Sequence, residues 1–179
     1  MRGVPVLRTR EPGGAKGAEL LRNLLLGGTI DWSAPAETLL HFAARAEHVE
    51  RSIRPALAAG MWVICDRFAD STMAYQGYGQ GADRAMIAAL TGLLGVSPDL
   101  TLMLEVPEAV AAERLNRRAI AADRYERLDG GFHRRVKDGF RAIAAGDPGR
   151  CVSIAADGSL DTVHAAILAA VAIRRELPA

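Results

Sequence analysis

Short apolar runs alternate with longer amphipathic stretches along this chain, and that alternation limits the possible folds more than any other feature. The runs at 4–8, 61–65 and 151–156 have the composition of strands, and 97–106 has that of a turn followed by a strand. Helical periodicity and stop signals predict helices at residues 17–28, 34–59, 82–95, 107–118, 132–145 and 160–175. Strands that alternate with helices form parallel sheets covered on both faces, so the sequence predicts an α/β fold with a mostly parallel sheet.

The composition predicts one domain with an aliphatic core. Of the 179 residues, 50% are hydrophobic and only 5% are aromatic, which favours a core of alanine and aliphatic side chains. The net charge of +1 gives no electrostatic reason to expect a nucleic acid or an acidic membrane as partner. No apolar run is long enough to cross a membrane, and the first residues lack the apolar region of a signal peptide. We therefore expect a cytoplasmic protein in which Cys65 and Cys151 are reduced core thiols.

Acidic residues stand beside arginines where the first two predicted strands end, at Arg10-Glu11 and Asp66-Arg67. In parallel α/β sheets, ligands bind beyond the carboxyl ends of the strands. An arginine there offers a planar fork of donors to phosphate oxygens, and a neighbouring aspartate can orient Mg²⁺ or its water shell. Taken alone, the pair Asp66-Arg67 is explained equally well as an ion pair that caps the strand and as part of a ligand site.

The residues that follow Asp66-Arg67 help to distinguish a ligand site from a strand cap. Ser71, Thr72, Tyr75 and Gln76 are spaced so that one helical turn places them on the same side. Hydroxyl and amide groups can contact the edge of a pyrimidine, and a tyrosine can close off the space beside a sugar. The stretch therefore favours a nucleotide site over a simple strand cap.

The glycine-rich turn "TREPGGAKG" (9–17) does not match a phosphate-binding loop. That loop has the pattern G-x-x-x-x-G-K-[ST], whereas Lys16 is followed by Gly17-Ala18, and no other part of the 179 residues fits. We interpret the glycines as a strand-to-helix turn, with Glu11 still available to a site.

The helix around "LLHFAARAEHV" carries a cation near flat rings. Arg45 lies four residues after His41 and three after Phe42, so one face could sandwich a base and donate to its carbonyl. Spacing alone favours a simpler interpretation, an amphipathic helix with a solvated arginine. His48, His133 and His164 lack metal-ligand spacing relative to one another, and we interpret them as ordinary helix residues.

An arginine-rich stretch spans residues 113–135 and is interrupted by "AIAAD". A charge run is usually a solvated helix face. A mobile, arginine-rich segment over the carboxyl edge of a sheet can also act as a lid whose arginines neutralise a phosphoryl group during transfer.

Taken together, these stretches resemble the bacterial thymidylate kinase family. The resemblance rests on "TREPGG", "LLHFAARAEHV", "DRFADSTMAYQG", "SPDLTLMLEV" with "PEAVAAER", and "DRYER" followed by "FHRRV", in the order and spacing of the family. It implies a three-layer P-loop kinase-like fold with a parallel sheet, and a single nucleoside monophosphate kinase-like domain over 1–179 with a lid at about 117–130. It also implies transfer of the γ-phosphoryl group of ATP to dTMP, giving dTDP for dTTP supply, with Mg²⁺ and a homodimer.

The resemblance assigns catalytic roles to five residues. Arg67 would clamp the acceptor phosphate, and Asp66 would organise the metal and its waters with Glu11 nearby. Arg118 and Arg124 would be the lid arginines and would also contact ATP.

The resemblance assigns the acceptor nucleotide to a second set of residues. Arg45 would donate to a thymine carbonyl, Thr72 and Gln76 would line the base edge, and Tyr75 would select deoxyribose. The base-stacking position, usually phenylalanine in the family, is His41 here, so either His41 stacks or the neighbouring phenylalanine replaces it. The predicted substrate-binding set is Pro12, His41, Phe42, Arg45, Ser71, Thr72, Tyr75 and Gln76.

The resemblance also implies that the first strand and the Walker A loop of the family are absent from this chain. The missing strand would lie mid-sheet, between 61–65 and 97–106. Either the start is assigned too late or the product is truncated. As written, the chain would bind ATP poorly, turn over negligibly and expose apolar surface where the strand would pack. Two alternatives stay open at this point: a kinase of another deoxynucleotide, and a non-catalytic remnant that binds dTMP or forms a dimer.

Overall fold

The computed structural model describes residues 3–28, 30–116, 124–125 and 127–174. The chain divides into two compact units. The first comprises Met1–Ser97 and Asp123–Phe140, and the second comprises Pro98–Ala122 and Arg141–Ala179. Each unit is described separately.

The first unit contains two strands and most of the helices. The strands are β1 (Val6–Arg10) and β2 (Trp62–Asp66). The helices are α1 (Lys16–Leu26), α2 (Ala34–His48), α3 (Arg54–Ala58), α4 (Ala69–Thr72), α5 (Arg84–Leu93) and the first part of α7 (Gly130–Gly146).

Strands β1 and β2 pair in parallel with Val6 opposite Trp62 and Arg10 opposite Asp66. The sequence predicts the first strand at 4–8, two residues too early, because its apolar run ends before the polar residues Thr9 and Arg10. Backbone pairing with β2 extends the strand through these polar residues. As a result, the two strands end at the same level, and the Glu11 amide donates to the Asp66 carbonyl at 2.9 Å.

The helix predicted at 34–59 is continuous but not regular. A π-helical turn, Val49–Ile53, joins α2 to α3, and Gly60 follows with φ of +73°, as expected for a glycine just after a helix. A second π-helical stretch, Met73–Gly79, continues α4. Such wide turns are rare and often occur at functional sites.

The core of the first unit is aliphatic and rich in alanine, as the composition predicts. Phe42, Ala82 and Ile87 form one cluster, on which Met73 and Leu90 pack. Helix α7 approaches the π-helical stretch closely because both carry glycines at the contact. A Cβ on Gly139 would lie 2.8 Å from the Tyr78 Cβ, and one on Gly79 would lie 2.6 Å from the Phe132 ring.

The second unit contains β3 (Thr101–Glu105), β4 (Cys151–Ala155), α6 (Glu108–Asn116), α8 (Leu160–Arg174) and the end of α7. Strands β3 and β4 are parallel, with Thr101 opposite Cys151. Arg114 Nη1 ties α6 to the end of β4 by donating to the Ala156 carbonyl at 2.7 Å.

The α/β fold with parallel strands is therefore confirmed. Among the described residues, the strands form two separate parallel pairs, β1–β2 and β3–β4, and Ile64 of β2 and Leu104 of β3 are about half exposed. The missing central strand stays a prediction. In the described ranges, no helix is both long and apolar enough to cross a membrane.

Candidate functional site

A buried ion pair joins the end of β1 to helix α2. Arg45 Nε donates to Glu11 Oε2 at 2.6 Å, and both side chains are only 3% exposed. His48 Nδ1 donates to the other oxygen, Oε1, at 3.0 Å, and His48 Nε2 contacts Thr9 Oγ1 at 2.7 Å. The interpretations of Arg45 as solvated and of His48 as an ordinary helix residue are therefore wrong, because both side chains are buried partners of Glu11.

The glycine turn after β1 packs closely against His48 and Thr9. Gly14 has φ of +82°, a conformation that favours glycine. A Cβ there would overlap the His48 ring and lie 2.5 Å from Thr9 Oγ1. Gly14 therefore lets the backbone pass close to His48, which a sequence pattern for phosphate binding could not indicate.

Arg45 also reaches the segment that follows β2. Its Nη2 donates to Thr72 Oγ1 at 3.0 Å, and its guanidinium lies 4.7 Å from the Phe42 ring centroid and 5.3 Å from that of Phe68. The third nitrogen, Nη1, is buried and has no hydrogen-bond partner. Buried donors are nearly always paired in folded proteins, so this atom is suited to a ligand carbonyl.

A second buried carboxylate, Glu37, lies eight residues before Arg45 and accepts hydrogen bonds from four side chains. Its Oε1 accepts from Gln76 Nε2 at 2.8 Å, from Gln80 Nε2 at 2.7 Å and from the Tyr125 hydroxyl at 2.7 Å. Its Oε2 accepts from Arg124 Nη1. Burial alone would raise the pKa of Glu37, but these hydrogen bonds and the arginine charge lower it below the usual value.

Tyr125 links this carboxylate to the predicted stacking residue. Its hydroxyl hydrogen goes to Glu37, so it accepts from His41 Nε2 at 2.9 Å and from Gln76 Nε2 at 3.1 Å. Burial and the Glu37 charge raise the pKa of Tyr125. Burial, followed by the nearby Arg45 charge, lowers the pKa of His41 to about 4. Both groups are therefore neutral near pH 7, and His41 carries its proton on Nε2.

The tip of β2 presents Arg67 in an unusual backbone conformation. Its φ is +67°, the only positive value outside glycine in the described residues. Left-handed conformations of non-glycine residues are strained and concentrate at functional sites. The guanidinium lies 4.8 Å from the Tyr75 ring centroid, and Tyr75 packs edge-on against Tyr125 with centroids 5.4 Å apart. The phosphate-clamp and sugar positions that the sequence predicts are thus adjacent.

The remaining predicted residues occupy different settings. Phe42 packs in the core cluster and its ring also contacts the Arg45 guanidinium, whereas His41 contacts Tyr125. Ser71 is half-buried on α4, and the Pro12 carbonyl accepts from Arg22 Nη1 at 2.7 Å. Arg124 pairs with Glu37 and also with Asp31 at 3.1 Å. Arg118 and most of the predicted lid at 117–130 lie outside the described residues.

The donor sets for a metal differ between the two strand tips. The exposed carboxylate of Asp66 is a hard oxygen ligand of the kind that Mg²⁺ prefers. Both oxygens of Glu11 are already used by protein donors. Glu11, His48 and Cys65 bring their ligand atoms within 4.8 Å of one another, but burial and the Glu11 charge raise the pKa of Cys65 to about 12. Asp66 is therefore a candidate ligand for an oxygen-coordinated metal, and the Glu11, His48 and Cys65 group is a separate set of possible ligand atoms.

Comparisons with known proteins show the family. A family model described as thymidylate kinase matches residues 1–167. The chain belongs to the thymidylate kinase family. It is 51% identical over 175 residues to the thymidylate kinase of Rhizorhabdus wittichii, covering 96% of this chain and 84% of that protein. It is 52% identical to the thymidylate kinase of Gluconobacter oxydans, covering 94% and 81%.

A solved structure gives the same result. The crystal structure of thymidylate kinase from Ehrlichia chaffeensis matches with a TM-score of 0.76 and 36% identity, over 93% of this chain and 80% of that one. The family resemblance inferred from the motifs is therefore confirmed, and so is the kinase-like α/β fold.

Sequence reasoning missed four residues of these buried hydrogen-bond networks: Glu37, His48, Gln80 and Tyr125. One signal was available, because residues 37, 41, 45 and 48 recur at helical spacing and form a polar stripe along one side of the helix. Tyr125 lies within the quoted motif "DRYER", but nothing in the sequence indicates its partner Glu37, which lies 88 residues away.

Proposed function

We propose that this chain phosphorylates dTMP to dTDP, with ATP as donor and Mg²⁺ as its metal. The observation that carries the proposal is the buried, unpartnered donor Nη1 of Arg45, whose Nη2 donates to Thr72. A pyrimidine carbonyl placed there would satisfy the arginine, and the flanking hydroxyl and amide would meet the rest of the base edge. Family membership supports the same substrate.

The acceptor nucleotide is proposed to lie with its base at Arg45 and its phosphate at Arg67. His41 would face the base from α2, and Tyr75 would close the space beside the deoxyribose. The Arg67 guanidinium would hold the acceptor phosphate in two-pronged hydrogen bonds. Its strained backbone supports this role, since such strain persists where the position of a side chain matters.

In the proposed reaction, an oxygen of the dTMP phosphate attacks the γ-phosphorus of ATP. The new O–P bond forms as the bond between the γ-phosphorus and the β,γ-bridging oxygen breaks, so the products are dTDP and ADP. Mg²⁺ would neutralise charge on the transferring group, with Asp66 holding the ion or its waters. Arg67 would offset the charge on the acceptor.

The arginines of the lid are proposed to act on the donor side. Arg124 is held by Glu37 and Asp31, so its contact with a phosphoryl group requires that it leave these carboxylates. Arg118 carries the same proposed role on the strength of the family pattern. We also propose that the 117–130 segment is the lid of a single kinase domain and that the protein is a homodimer, which sedimentation analysis would test.

The decisive experiment measures acceptor binding and turnover separately. No phosphate-loop pattern occurs in the 179 residues, which favours a second candidate, a chain that binds dTMP without turning it over. Calorimetric titration with dTMP reports binding, and a coupled assay of ADP production reports transfer. Arg45→Met should weaken dTMP binding at least tenfold, by loss of a charged hydrogen bond, whereas Arg51→Met, at an exposed position, should not.

The outcomes separate the two candidates. Binding with turnover supports the kinase, and binding without turnover supports the non-catalytic protein. If dTMP does not bind, or if Arg45→Met binds it as tightly as the original chain, the site is misassigned.

A further inference from the structure

Among the described residues of the first unit, Glu37 is a fully buried carboxylate that the proposed reaction does not use. Its side chain is 0% exposed. A buried carboxylate is costly unless donors surround it, and here Gln76, Gln80, Tyr125 and Arg124 provide them. From its position on α2, Glu37 therefore orients the side chains that donate to it.

An ionised carboxylate only accepts hydrogen bonds, and this restricts the orientation of Gln76. Gln76 is 1% exposed, and its Nε2 donates to Glu37 Oε1 at 2.8 Å and to the Tyr125 hydroxyl at 3.1 Å. These two bonds use both amide hydrogens. The atom that remains for a ligand is therefore the acceptor Oε1, and a reversed amide would place Oε1 against the carboxylate.

We propose that Glu37 is a positioning residue that makes the site selective for pyrimidines protonated at N3. This inference rests on the proposed function. The N3–H of thymine matches the acceptor Gln76 Oε1, and the thymine O4 matches the donor Arg45 Nη1. Cytosine presents an acceptor at N3 and an amino group at C4, so it meets an acceptor with an acceptor and a donor with a donor.

Glu37→Gln separates this role from a purely structural one. The new amide has the same shape, but it presents either a donor or an acceptor to Gln76, so the Gln76 amide is no longer held in one orientation. We expect dTMP binding to weaken about tenfold and dCMP binding to stay constant or tighten, so that the preference for dTMP falls at least tenfold. Discrimination by Arg45 persists, so the preference does not vanish.

The measurement is a set of calorimetric titrations of the chain with dTMP and with dCMP. Glu37→Leu provides a second variant without any acceptor, and Glu47→Gln, on the same helix with a side chain 39% exposed, is the matched control. Circular dichroism spectra establish whether each variant folds. If Glu37→Leu does not fold, the nucleotide preference of Glu37→Gln alone tests the role of Glu37.

A general loosening of the site would weaken both nucleotides by the same factor and leave their ratio unchanged. An unchanged ratio in Glu37→Gln, with dTMP binding still measurable, therefore overturns the role of Glu37 while the proposed function stands. If the original chain shows no preference for dTMP over dCMP, the proposed function fails and this inference fails with it.

Discussion

Replacing Glu11 with alanine should destabilise this protein far more than breaking an ion pair of the same length on its surface. The Glu11–Arg45 pair has an N–O distance of 2.6 Å, and both side chains are 3% exposed. The Glu50–Arg54 pair has the same 2.6 Å distance, but its side chains are 62% and 45% exposed. The two pairs therefore differ mainly in burial.

The magnitude follows from what each change leaves behind. Glu11→Ala leaves the buried Arg45 guanidinium with Thr72 Oγ1 as its remaining hydrogen-bond acceptor and removes the acceptor of His48 Nδ1. Breaking a buried pair on one side costs about 3–5 kcal/mol, a large part of a typical stability of about 5–15 kcal/mol. Glu50→Ala exposes Arg54 to water, and such pairs contribute about 0–1 kcal/mol.

Urea unfolding followed by circular dichroism measures both effects, provided that the m-value is unchanged between variants. The double variant Glu11→Leu/Arg45→Met removes both charges and should be more stable than Glu11→Ala, because no buried charge is left unpaired. If Glu11→Ala and Glu50→Ala lower the free energy of unfolding equally, the assignment of the cost to burial is refuted.

Three further predictions follow from the packing and the pKa values. Gly139→Ala should cost about 1–3 kcal/mol through overlap with Tyr78, whereas Gly146→Ala, on the same helix with open space around it, should be neutral or stabilising; equal unfolding midpoints would contradict this packing. The lowered pKa of His41, about 4 against 6.5, means that the unfolded state binds more protons between these values, so stability falls as pH drops from 6.5 to 4. His41→Phe should remove up to about 3 kcal/mol of that pH dependence, and unchanged pH curves would argue against a buried neutral imidazole. Cys65, with a pKa raised to about 12, should resist a disulfide reagent at pH 7.5 in a Cys151→Ser background until urea is added; rapid modification of the native protein would show that the thiol is not held neutral.

Much of the fold is encoded locally. The alternation of apolar runs and amphipathic stretches predicted parallel α/β structure, because hydrophobic periodicity depends on which residues share a face of a helix or strand. The motifs around Asp66-Arg67 and Thr72–Gln76 carried the resemblance to the family, and their spacing of four or five residues places the side chains on one helical turn. The first strand was placed two residues early because apolar character ends before the backbone pairing does.

The tertiary structure decided which of these faces meet and which charges lose contact with water. Arg45 looked solvated from its spacing, yet it is buried against Glu11, 34 residues earlier in sequence. Glu37 became the centre of a donor network only because Tyr125 packs on it from 88 residues away. Local spacing determines the side of a helix on which a group lies, but burial and hydrogen-bond partners depend on what packs against that side, and long-range contacts of this kind leave no periodic trace in the sequence.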